Sequence, residues 1–173
     1  MLRNIVTWLD KAQAHSDAKS TDSVDYLPMR LAPDMLPFDK QVLIVNEVAK
    51  LGASRLTGVE MAKSEHEDTT LQHLHQRIKQ TIDYLEAFSP AQVDGSDIQE
   101  IVVPQRGKEA LVFDRQSFVQ HWVQPNFFFH ATTIYALLQA RRGGFGQGGL
   151  PGNSLNAPAR RRHESTVARK GHC

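Results

Sequence analysis

The sequence predicts an all-α protein, an antiparallel four-helix bundle with a small β-hairpin before the last helix. Three observations predict it. Apolar residues recur at intervals of three and four along four long segments. Hydrophobic residues make up 40% of the 173, enough to build the core of one domain. Two short apolar runs with strand alternation flank QRGK and interrupt the helical pattern once. Helices that each carry one apolar face bury those faces most simply against each other.

The first helix is predicted from Leu2 to about Lys19, on the spacing of Leu2, Ile5, Val6, Leu9 and Ala12. Residues 21–37 contain Pro28, Pro33 and Pro37, which forbid a continuous helix and make a connector with one turn of its own. The second helix is predicted from about Phe38 to Leu56, with Phe38, Val42, Val45, Val48, Ala49 and Leu56 on one side and Gly58 as its stop. The third repeats Leu71, Leu74, Ile78, Ile82 and Leu85 behind a Thr69–Gln72 capping pair and ends near Phe88. Ser89, Pro90 and Gln92 begin one further helical turn. After DGSD, the runs IQEIVVP and EALVFD form the hairpin. The last helix is predicted from a cap at Asp114 to about Ala140, kinked or divided by Pro125.

Charge divides the chain at Arg141. Residues 1–140 carry 13 Lys and Arg against 18 Asp and Glu, a net of −5, whereas residues 141–173 carry seven against one, a net of +6. The second part also holds seven of the eleven glycines, and GGFGQGGLPGNS has too little apolar surface to offset the entropy of ordering. Residues 1–140 are therefore expected as the helical domain and residues 141–173 as a disordered Gly/Arg-rich tail. ARRRH and ARK are able to meet phosphate, but the preferred reading is a solvated basic end or non-native sequence from a misplaced reading frame. The acidic body offers no basic recognition helix, so nucleic acid is not expected there and a helix-turn-helix label is discounted.

No stretch of about 18 apolar residues exists, so no membrane-spanning helix is expected. The apolar run at the N-terminus is too short for a signal peptide, and the default location is cytoplasmic. Cys173, the only cysteine, excludes an internal disulfide and a cysteine zinc cluster. Neither GxSxG nor a P-loop occurs, and GFGQGG follows a helix instead of linking a strand to one.

Four segments then fall in one order: RLAPDMLPFDKQV, AKLGASRLTGV, QRIKQTIDYLEAFSPAQVDGS and QPNFFFHATTIYALL. Together, from about Ile5 to Leu138, they resemble a family of unknown function within the DinB-like (DinB/YfiT) metalloenzyme superfamily. The resemblance implies an up-down four-helix bundle. It also implies that family members begin two or three helical turns earlier, so that the first helix here is shortened, and that the basic tail is unrelated. Only the wider superfamily carries metal-dependent chemistry, commonly on three histidines, two of them one turn apart on the last helix.

The helical wheel places that chemistry in question. His121 and His130 are nine positions apart, about 900° along an unkinked helix, and so lie on opposite faces. His130 instead has Asn126 one turn before it and Thr133 just after it, among Val119, Val123, Ile134 and Leu137. Asn126 stands where a metal-binding relative would carry histidine, and its neutral amide oxygen is a poor transition-metal ligand. Two roles for His130 stay open. It is a buried histidine donating to a carboxylate or carbonyl, or it is a ligand or general base in a cavity. In the second case Asp34, in RLAPDM, is its expected carboxylate partner, unless it caps the next turn. His73 and His75 diverge by about 200°; His66 and His73 are about 10 Å apart along a helix; His15 is expected at the surface.

Two functions are compatible with these residues. One is a DinB-like bundle holding a small molecule or divalent metal around Asp34, Asn126, His130 and Thr133, with His130 the candidate metal ligand. The other is a non-catalytic helical interaction protein that dimerises or docks a partner through an exposed helix face.

Overall fold

A computed structural model describes residues 1–61, 69–94, 97–98, 100–105 and 107–142. Residues 143–173 of the expected tail, His66 and Arg106 of QRGK lie outside the described residues; Arg141 and Arg142, expected in the tail, are instead the last residues of the final helix. Helix α1 spans Leu2–Lys19 and buries Leu2, Ile5, Trp8, Leu9 and Ala12. Ser20 ends it in the left-handed region. A single 3-10 turn, Ser23–Tyr26, is capped by the Asp22 side chain, and its Tyr26 is fully buried.

Helix α2 spans Phe38–Thr57 and stops at Gly58, whose φ of 75° suits glycine. Helix α3 spans Leu71–Glu86. Its cap is Thr70, not Thr69: the Thr70 hydroxyl accepts from the His73 backbone N–H, while Thr69 contacts the His73 ring. Leu74 and Ile78 are fully buried, but Ile82 and Leu85 sit at the margin of the core. Pro90–Asp94 forms the short helix α4.

Strands β1 (Ile101–Val103) and β2 (Leu111–Phe113) pair antiparallel, with Val102 opposite Val112. Ile101 and Val103 point inward and, with Phe118, make a small second core beside Leu56 and Trp122.

Asp114 caps the last helix through the Ser117 N–H at 2.8 Å, as expected. That helix has three parts. A first turn, α5 (Arg115–Ser117), leads into a π-helical stretch, Phe118–Val123, and then α6, Gln124–Arg142. The Gln124 N–H reaches back five residues to the Val119 carbonyl. This wider turn lets the helix pass Pro125, whose ring would clash with the carbonyl four residues earlier in a regular α-helix.

Helix α1 packs on α3 and α6, and α2 packs on α3 and α6, closing a circuit around the main core. The all-α fold with one small hairpin is therefore the observed architecture. Gly52 brings α2 close to the π-helical stretch, since a Cβ there would lie 3.2 Å from Val123 Cγ1. Arg141 closes the other end: its guanidinium lies 4.8 Å from the centre of the Tyr26 ring and 3.3 Å from Asp25.

Candidate functional site

The loop from Leu27 to Pro37 is folded onto the start of α2. The Phe38 and Asp39 N–H groups bond to the Met29 and Leu27 carbonyls, and the Met35 N–H bonds to Ala32. Arg30 donates to the Met35 carbonyl. These bonds fix the backbone of RLAPDM and turn the Leu36 carbonyl toward α2, where the Gln41 side-chain amide donates to it at 3.0 Å.

Gln41 occupies a core-facing position on α2, one turn after Phe38, and is 1% exposed. With its nitrogen committed to Leu36, its oxygen faces His130 Nδ1 at 2.6 Å. An amide flipped the other way would set oxygen against carbonyl oxygen, so the neutral imidazole carries its proton on Nδ1 and keeps a lone pair on Nε2. Nε2 meets no partner among the described residues, and it is not among their buried unpartnered atoms. The Phe129 ring stands edge-on to the imidazole, centroids 5.0 Å apart. Burial pushes the His130 pKa below the ordinary 6.5, which favours the neutral ring.

The other expected site residues do not converge on it through hydrogen bonds. Asn126 donates to the Trp122 carbonyl at 2.6 Å, one turn back on its own helix. Thr133, buried, donates to the Phe129 carbonyl at 2.9 Å. Asp34 is exposed in its loop, and the partner that His130 Nδ1 meets is Gln41. His121 is exposed, away from the half-buried His130. Elsewhere, His75 pairs with Asp10 at 3.0 Å. His15, expected at the surface, is half-buried with Nδ1 2.9 Å from the Tyr26 hydroxyl.

A metal does not fit these residues. Among the described residues no three His, Cys, Asp or Glu side chains come together as a metal site requires. One imidazole backed by an amide, beside an Asn126 whose nitrogen is bonded to its own helix and whose neutral amide oxygen is a poor transition-metal ligand, does not make such a set.

Residues 1–145 match the model of a protein family described as Domain of unknown function (DUF1993). The chain belongs to this family. It is similar to a solved structure, a DinB family member protein from Shewanella denitrificans, at 34% identity and a TM-score of 0.72, over 85% of this chain and 83% of that one. No curated protein matches. The DinB-like resemblance read from RLAPDM and PNFFFHATTIYALL thus holds, and membership in DUF1993 brings no assigned reaction with it. No helix among the described residues is long and apolar enough to cross a membrane.

Proposed function

We propose that this DUF1993 member is a ligand-binding four-helix bundle, and that it takes a small organic molecule carrying a hydrogen-bond donor at the seam of α2 and α6. The closed circuit of α1, α3, α2 and α6 supports the bundle. His130 Nε2 accepts the donor, and the exposed Leu36 side chain gives the ligand an apolar margin.

The observation that carries this reading is the chain Leu36 carbonyl, Gln41 amide, His130 imidazole, which holds one tautomer and leaves one lone pair free. A general base would be served by a carboxylate at Nδ1, which stabilises the protonated ring; an amide oxygen does so weakly. Binding is therefore the role assigned, and the body of residues 1–140 is where it is placed.

The test is a thermal-shift screen of donor-bearing small molecules against the full chain, His130→Ala and Gln41→Ala. A hit that stabilises the full chain and loses its effect in both variants is expected, with truncation after Arg142 leaving binding unchanged. Hits that stabilise His130→Ala equally would refute the assignment.

A further inference from the structure

We infer that the outer stripe of the last helix is a homotypic interface, on which two copies of this chain pack across a two-fold axis. From Gln116 to Ala140 the sequence contains no Asp, Glu, Lys or Arg. On the solvent side of this uncharged helix lie Gln120, His121, Gln124, Phe128, Phe129 and Thr132, spaced along one stripe. Phe128 is 47% exposed and Phe129 56%. A helix surface facing only water ordinarily carries charge opposite its buried face.

A second copy is the occupant that fits. In a two-fold interface each residue meets itself or its mate, so a charged face repels its own image. Residues 1–140 carry a net of −5, although the whole chain is +1, and a face without charge is where two such helical domains approach with no like charges set against each other. The side chains present are their own complements: phenyl rings pack on phenyl rings, and each Gln amide is both donor and acceptor. A strongly acidic or basic partner finds no countercharge along this helix. From Gln120 to Thr132 the stripe runs about 18 Å; this makes the centre of an interface, with residues of adjoining elements as its rim, since a standard interface covers about 800 Å² per partner. The inference does not rest on the small-molecule reading: His130 is turned toward Gln41, and although the Phe129 ring stands edge-on to its imidazole, Gln120, Gln124 and Phe128 take no part in that site.

Sedimentation of the full chain between about 1 and 100 µM tests it. The expected result is a species of twice the chain mass at the upper end. Phe129→Glu and Phe129→Lys should each weaken self-association at least tenfold with helicity and melting temperature unchanged. Mixing the two should restore a dimer, because opposite charges then face each other. If a charged residue at 129 lowers the melting temperature, Gln124→Glu replaces it on the same stripe. A monomer throughout the range, or a dimer indifferent to all of these substitutions, overturns the inference.

Discussion

A neutral imidazole bonded to an amide oxygen titrates differently from one bonded to a carboxylate, and His130 is of the first kind. Its pKa is lowered by burial, whereas the unfolded chain keeps an ordinary histidine. Between the folded value and about 6.5 the unfolded chain binds more protons, so stability rises with pH there. The contribution is complete above about pH 6.5 and is lost as pH falls through the folded pKa. Urea midpoints measured from pH 7.5 to 5 should fall on acidification, and His130→Gln should flatten that part of the slope. Gln41→Glu puts a carboxylate against Nδ1 and should raise the His130 pKa, read by the ring proton shifts on titration. His130 was legible in the sequence as a polar residue on an apolar helix face. Gln41 was not singled out, although it lies at the i+3 position from Phe38 in the same apolar register as Val42 and Val45; a glutamine reads as surface until a partner across the bundle is seen. A carboxylate such as Asp34 is the usual partner of a working histidine, yet His130 Nδ1 meets the Gln41 amide oxygen, and Gln41 is itself held by the carbonyl of Leu36, just after RLAPDM.

Gly58, Asp114 and both strands stand where local chemistry put them, because a left-handed stop, a capping carboxylate and a two-residue alternation are written in adjacent residues. The π-helical stretch was foreshadowed only by Pro125: a slip in hydrogen-bond register depends on how the helix seats on α2, which no local pattern records. Thr70→Ala should cost about 1 kcal/mol by denaturant unfolding, as loss of a capping hydroxyl does, with Thr69→Ala costing less. At the α2 crossing, Gly52→Leu should cost about 1 to 3 kcal/mol by overpacking against Val123. Val123→Ala in the same chain should recover part of it, a non-additivity that a double-mutant cycle measures.

Across the whole molecule, the apolar faces predicted long helices that each bury one side, but not which polar residues they enclose. Asn46, Lys50, Arg77 and Thr81 are all buried on α2 and α3, in positions where periodicity alone marks either a surface or a core edge. Ile78 is fully buried and Ile82 is marginal, so Ile78→Ala should cost about 2 to 5 kcal/mol and Ile82→Ala clearly less. Equal losses at the two positions would mean that α3 is rotated about its axis.

The π-helical stretch has a consequence for how this fold tolerates changes in chain length. Its i to i+5 ring holds one residue more than an α-helical turn, so the segment stores a single-residue surplus between two ends already seated on their neighbours. Deleting exposed Gln120 would return the stretch to an ordinary turn with both ends still facing as they do now, whereas deleting exposed Gln80 in α3 would swing every core side chain beyond it by about 100°. The first deletion should yield a folded protein and the second should not, as thermal melts of the two would show. Phe118–Val123 is thus the place in a long helix where a lineage is free to gain or lose one residue without rebuilding the core.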